Sequence, residues 1–539
     1  MNHSSGLLHV ARAPRRGAVL VSTVLLSVVA ATITGVVLTQ VLRSAKSESN
    51  RTAIDAAHVA AEDALRQVEV SLAADPYGFL EGELPGEPMR VACPSGPTAW
   101  DPAVDGTAWC YATGSPAGNE SNSVHLHAPS SADPHLKVTA VGVSGDWDVA
   151  LERSYRMDGA DLFTVWTGGD LALDDLSRVN FSNSATTELA GSVYAAGNLF
   201  APTAAGVSLS DLQIVAAGST DVVPAADVVV YDANPATANL DVSDLTGSSL
   251  SLGDLRASAA RVSGIACAAP TALCLTAGTT YGSVTAPSSV DEWLITFSAS
   301  TGAEIEVFYR QDGGEFAGDC LIRCDVTQLA TAQVTAGEHP AVGSYWTPLG
   351  TFPVPSSGLV WADADVHLGL CGSAFIVEGS TCTPSAVPAF LTIGAGTAVA
   401  PADVFIGSTI TADDAALGVV ATGSVVFPYW AAAPGTTTTH RVEATIVALG
   451  YGVSAADDVA SIRTLPESVA APLPGSATEG TVAGSLELVG TLAGSGVDAS
   501  LRLYRDVTIQ PRPDSQPAAP WLPGFGGTWS VVSTDRVFS

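Results

Sequence analysis

The chain has 539 residues, enough for two or three domains with cores of their own, and 47% of them are hydrophobic while only 14% are charged. That balance excludes a disordered chain, which needs high charge and low hydrophobicity. The formal charge of −32 excludes an electrostatic grip on phosphate backbones by the body of the protein. No nucleic acid is therefore expected among its partners, and the acidity serves to keep the body soluble.

In chain order, residues 1–17 form a basic leader in which Arg12, Arg15 and Arg16 precede Gly17. From Ala18 to Leu42 there is no charged residue and no proline. As a helix this run is about 37 Å long, more than a hydrocarbon core of about 30 Å requires. A secretory signal peptide has an apolar region of only about 7–15 residues and then a small-residue cleavage site, whereas this run leads straight into more helix. No proline falls between Pro14 and Pro76, and an apolar stripe continues through Ile54, Ala57, Ala61, Leu65, Val68 and Leu72 at steps of three and four. Glu62 stands four residues before Arg66, the order that favours a helix ion pair. The pattern predicts one helix over 18–74, membrane-spanning at first and then an amphipathic stalk. The arginines ahead of the run place the N-terminus in the cytoplasm and everything from Asp75 onward outside, where disulfides persist.

A short basic leader ending in Gly17, an uncharged run starting at Ala18 and an unbroken amphipathic continuation resemble the class III leader and stalk helix of type IV pilin-like proteins. The segment "DAAHVAAEDALRQVEVSL" (55–72) is similar to the alanine-rich stretch of PilX-like minor pilins. The resemblance implies that a prepilin peptidase cuts after Gly17 and methylates the new N-terminus at Ala18. It also implies that the helix then packs with other pilin-like subunits in a filament core. Most pilins carry glutamate at the fifth mature position; here it is Ser22, which by resemblance favours a low-copy or tip component.

The body is expected to be α+β, mainly β. Residues 75–158 form a first β-rich segment with strands such as "LKVTAVGV" and "WDVALERSYRM". From 159 to 286 short apolar pieces are punctuated by glycine, with Gly169 and Gly191, then Gly197 and Gly218, about one rung apart. These and residues 356–510 are predicted to be parallel β-solenoid, with an ordinary β-sandwich as the alternative. Between them, 287–355 carries "EWLITFSAS" and "IEVFYR", which read as an antiparallel insertion, and 511–539 reads as a Pro-rich strap docked by Trp521 and Trp529. The succession "GLVWADADVHLG", "LGVVATGSVVF", "VEATIVALG" and "GSLELVGTLAGS", ending in that tail, resembles the C-terminal β-rich region of large actinobacterial-type PilX-like surface proteins.

Eight cysteines fall in four local couples: Cys93 and Cys110, Cys267 and Cys274, Cys320 and Cys324, Cys371 and Cys382. An even count in an exported chain reads as disulfides. Cys320 and Cys324 would sit about 13 Å apart on a strand, so they pair only across a turn. A zinc site there lacks a nearby set of further ligands.

Asp363, Asp365 and His367 alternate in "ADADVH" and would share one strand face, as a hard-cation site or simply as a solvent face. His125 and His127 admit the same two readings. Asp174 and Asp175 are adjacent and would point to opposite faces of a strand, so they cannot converge as paired acids. No phosphate loop, nucleophile elbow, zinc-protease helix or dinucleotide fingerprint is present. Neither an enzyme nor a cofactor is expected. The sequence points to a membrane-anchored, exported structural protein acting in type IV pilus-like filament assembly or adhesion. The alternatives are an unprocessed single-pass adhesin or envelope protein, and a carbohydrate-active surface enzyme.

Overall fold

The computed structural model describes residues 16–81, 85, 89–91, 108–112, 120–159, 163–172, 186–201, 207–216, 220–222, 228–231, 251–268, 271–297, 304–311, 346–369, 385–428, 439–451, 461–465, 484–497, 506–513 and 518–537. Its first element is one helix, α1 (Arg16–Ala74), unbroken for 59 residues. It ends where Pro76 can no longer supply an N–H, and Asp75 turns the chain: its N–H donates to Ser71 O (2.9 Å) and its Oδ1 accepts from the Tyr77 N–H (3.1 Å).

The second half of α1 lies on an antiparallel sheet whose strands run, in spatial order, Met89–Val91, Ala108–Ala112, Glu120–His127, Leu136–Ser144, Trp147–Gly159 and Gly524–Val537. Ala57, Ala61, Ala64, Leu65, Val68 and Leu72 are buried against it with Tyr111, Val138 and Leu151. Each of the larger side chains contributes about 1.5–3 kcal/mol by leaving water. The alanines let the backbones approach: a Cβ placed on Gly142 would lie 2.0 Å from Ala57 O and 2.5 Å from Ala61 N. Polar contacts fix the register, with Asn122 Nδ2 donating to Ala60 O (3.3 Å), and with Arg153 Nη1 (2.6 Å) and the Tyr155 hydroxyl (3.0 Å) both donating to Glu69 Oε1. The expected Glu62–Arg66 pair does not form. Arg66 turns to Asp63 one turn back, and Glu62 sits 3.6 Å from His58.

The rest of the chain builds parallel ladders. In the longest sheet the strands follow one another as Val228–Tyr231, Val207–Ala216, Thr186–Ala195, Asp506–Gln510, Ser485–Gly494, Thr439–Ala448, Ala416–Ala421, Phe390–Ala395, Leu359–Ala362 and Leu273–Leu275. All neighbours in this series are parallel. The spatial order is not the chain order. The chain enters in the middle, runs outward to Tyr231, re-enters at the far end at Leu273, and works back until Asp506–Gln510 pairs with the strand that began the series. The two stretches read from sequence as separate regions are therefore halves of one sheet.

A second parallel sheet runs beside it, Glu292–Phe297, Asp365–Leu368, Val404–Ile406, Val425–Pro428 and Ile462–Leu465, entered by a short corner after Leu359–Ala362 and after Ala416–Ala421. Leu171–Ala172, Leu199–Ala201 and Thr220–Val222 pair in the same way. Alternation decides where each side chain goes. Val360, Ala362, Val419, Ala421, Ile446 and Ala448 share an interior core with Val366, Leu368, Val404, Ile406, Val425 and Phe427 of the second sheet. Their neighbours Trp361, Val420 and Val447 face the other way and join the core under α1. Both faces are buried, which is why these strands read as continuous apolar runs. The strand Glu292–Phe297 also starts an antiparallel trio with Glu304–Arg310 and Thr347–Pro353, so the 287–355 block grows out of the parallel sheet.

Two elements were not anticipated. A helix, α2 (Leu252–Ala268), follows the outward run and buries Leu255, Ser258, Ala259, Val262 and Ala266. It bridges the layers: the Ser258 hydroxyl is 2.7 Å from that of Tyr77, Arg256 donates to Leu449 O (2.9 Å), and Cys267 is disulfide-bonded to Cys274. The tail is a strap only in part. Trp521 is buried and donates to Ser357 O (2.7 Å), but Gly524–Val537 becomes a strand pairing antiparallel with Trp147–Gly159, and Trp529 donates to Pro76 O (3.0 Å).

Candidate functional site

The first half of α1 is the surface that calls for a function. Over 22–49 every residue is exposed, including Val24, Leu25, Leu26, Val28, Ile33, Leu38 and Leu42. An 18-residue stretch has mean hydropathy 2.1 with none of it buried, so the helix is long and apolar enough to cross a membrane. Four of its hydroxyl side chains are provided for internally. Ser27, Thr32, Thr34 and Thr39 each donate to the carbonyl four residues earlier, at 2.7–2.8 Å. Hydroxyls closed onto their own helix need no water, which is the condition hydrocarbon imposes. Gly17 and Ala18 fall in the first turn of α1.

No protein-family model matches the chain, and no curated protein matches it. Among solved structures it is similar to the competence-associated pilin ComZ from Thermus thermophilus, with 11% sequence identity, 90% of this chain and 98% of that chain covered, and a TM-score of 0.24. A likeness at that score carries no argument about shared fold or function.

The alternating "ADADVH" residues are drawn into three separate structural roles. Asp363 lies in the turn before the strand, accepting from Trp293 Nε1 (3.0 Å) and the Ala277 N–H (2.9 Å). Asp365 Oδ1 accepts from the Asp403 N–H (2.8 Å). His367 stacks on Phe405, ring centroids 4.5 Å apart, with its Nε2 3.3 Å from Glu292 Oε2. Among the described residues no three His, Cys, Asp or Glu side chains come together as a metal-holding group. Glu292 also pairs with Arg310 at 3.2 Å, a buried ionic cluster that alternation within one strand could not reveal because its members come from three strands.

His125 is buried on its strand, and that burial, with His127 nearby, pushes its pKa down. Cys110 is disulfide-bonded. Cys93, Cys320, Cys324, Cys371, Cys382, Asp174 and Asp175 lie outside the described residues.

Proposed function

We propose that the chain is a membrane-anchored, pilin-like surface protein whose helix seats the molecule in lipid or against like helices while its β-rich head is displayed outside. The observation that carries this reading is the contrast along α1, apolar on all sides and uncovered as far as Leu42 but striped and packed from Ile54 onward. A helix apolar all round is covered by lipid or by other helices; a striped one is covered by its own domain. Arg43, Lys46 and Arg51 balance the three arginines ahead of the run, and the cytoplasmic N-terminus rests on the short basic leader dominating. In this reading a prepilin peptidase cuts between Gly17 and Ala18, the partners are other pilin-like subunits, and the head acts in filament assembly or adhesion without catalysing a reaction. We further infer that the parallel sheets are faces of a β-solenoid; the in-register ladders and the shared interior core support this.

The test is the intact mass and N-terminal sequence of the protein from its native host. A chain starting at methylated Ala18, and loss of that product when Gly17 is replaced by a bulky residue, supports the reading. A chain still starting at Met1 makes it an unprocessed anchored adhesin or envelope protein instead.

A further inference from the structure

We propose that α1 just beyond its apolar run, together with the tip of one hairpin of the head, forms a binding site for the phosphate-bearing head groups of anionic lipids, which fixes how deep the molecule sits. The inference rests on the membrane-anchored reading. Arg43, Lys46, Asn50, Arg51 and Ile54 line an open concavity of about 530 Å³ whose other wall is Trp147. Positions 43, 46, 47, 50, 51 and 54 pair at spacings of three and four (43 with 46 and 47, 47 with 50 and 51, 50 and 51 with 54), so they share a face. It is the face that packs on the antiparallel sheet from Ala57 onward. Below the head, then, the side of α1 that elsewhere is apolar and covered turns cationic and uncovered.

None of the three cations forms a hydrogen bond or ion pair among the described residues, although Asp146 and Asp148 flank Trp147. Trp147 is 39% exposed at the end of a two-residue turn in which Gly145 adopts φ 61°. An indole and long cations at the edge of an apolar helix are the residues that settle at the head-group level. Arg43 and Lys46 stand about 2–6 Å along the axis beyond Leu42, within a head-group layer of about 5–8 Å. Arg51 lies about 13 Å beyond and reaches back along its stem. Charge complementarity selects the occupant: the three cations stand together on a protein whose net charge is −32, and phosphate diesters are the anions that meet them at that height.

The test uses the full chain in nanodiscs of mixed phosphatidylcholine and phosphatidylglycerol, with native mass spectrometry of the lipids retained on release and vesicle flotation run beside it. Wild type should float and keep phosphatidylglycerol over phosphatidylcholine. The Arg43→Gln/Lys46→Gln/Arg51→Gln variant should float but lose that preference by about a hundredfold, at about fivefold for each cation. The Arg43→Lys/Arg51→Lys variant should keep it. A floating wild type with no preference, or a Gln variant that retains it, overturns this inference and leaves the anchor standing. Failure of wild type to float overturns both. Displacement of the retained lipid by millimolar inorganic phosphate, or a change in the variant's oligomeric mass without lipid selectivity, would assign the cations to a free anion or to the acidic head of a second copy, and would also overturn it.

Discussion

The two halves of α1 share a backbone and are both rich in apolar residues, yet they meet opposite fates. Around Val24–Leu42 apolar side chains project on every side and the rest of the chain covers none of them. Around Ala57–Leu72 most of them keep to one stripe, alternate with Asp63, Arg66 and Glu69, and disappear beneath a sheet, with Val59 and Val70 left exposed on the outer side. The difference teaches that apolarity alone does not say what covers a helix; its distribution around the axis does. A stripe fits one flat partner of fixed position, whereas an all-round apolar surface suits a solvent or a bundle.

The largest effect should come from charging the first half. Val28→Asp with Val29→Asp costs about 2.5–3.5 kcal/mol per residue at the middle of a membrane span. The variant should therefore leave the membrane fraction in a flotation assay while the melting of its head is unchanged. Leu65→Ala should do the reverse, keeping the chain in the membrane and destabilising the head by about 2–5 kcal/mol in a urea titration. If Leu65→Ala instead releases the protein from membranes, the two halves are not independent.

Gly142→Ala tests the close approach of backbones under Ala57 and Ala61. The added methyl must push helix and strand apart, for a loss of about 1–3 kcal/mol in the same titration, and Ala61→Gly should not rescue it because the obstruction is main chain. The smallest effect is alkaline. Burial pushes Tyr77 up to about 12, outweighing its hydrogen bond with Ser258 and the charge of Arg261; burial likewise pushes Tyr111 up to about 12, and burial with Glu69 raises Tyr155. A tyrosine whose folded pKa exceeds its unfolded value of about 10 contributes stability that is present below pH 10 and lost as pH rises toward 12. Stability of the packed half measured between pH 9 and 12 should fall, and Tyr77→Phe should make the fall shallower.

The division of α1 was legible because charge, proline and a 3.6-residue stripe are local signals. So was the abundance of short apolar strands. The helix α2 also carries its stripe in plain view, Leu255, Ala259, Val262 and Ala266, but Gly253, Gly264, Ser258 and Ser263 dilute it among segments of the same composition. The order of the long sheet was not legible at all. Parallel ladders are main-chain bonds, the same for any pair of strands, and the rungs are separated by unequal lengths of chain, so nothing in Thr186–Ala195 announces Asp506–Gln510 as its neighbour. The "ADADVH" side chains were placed correctly relative to one another only where the strand exists. It begins at Asp365, leaving Asp363 in a turn, and their partners Trp293, Asp403 and Glu292 come from distant positions.

The re-entrant order of the long sheet sets a timetable. A ribosome delivers Thr186–Ala195 early, with its neighbours Val207–Ala216 following at once on one edge. The other edge belongs to Asp506–Gln510 and, through Val165–Thr167, to Ser485–Gly494, which come far later in the chain. At about 5–20 residues per second, the Thr186–Leu189 part of that edge waits on the order of tens of seconds with its N–H and C=O groups unpaired, an interval in which a holding factor or a passing strand can occupy it. Truncation anywhere before Asp506 leaves it open for good, so one early strand depends for its cover on a segment some hundreds of residues downstream.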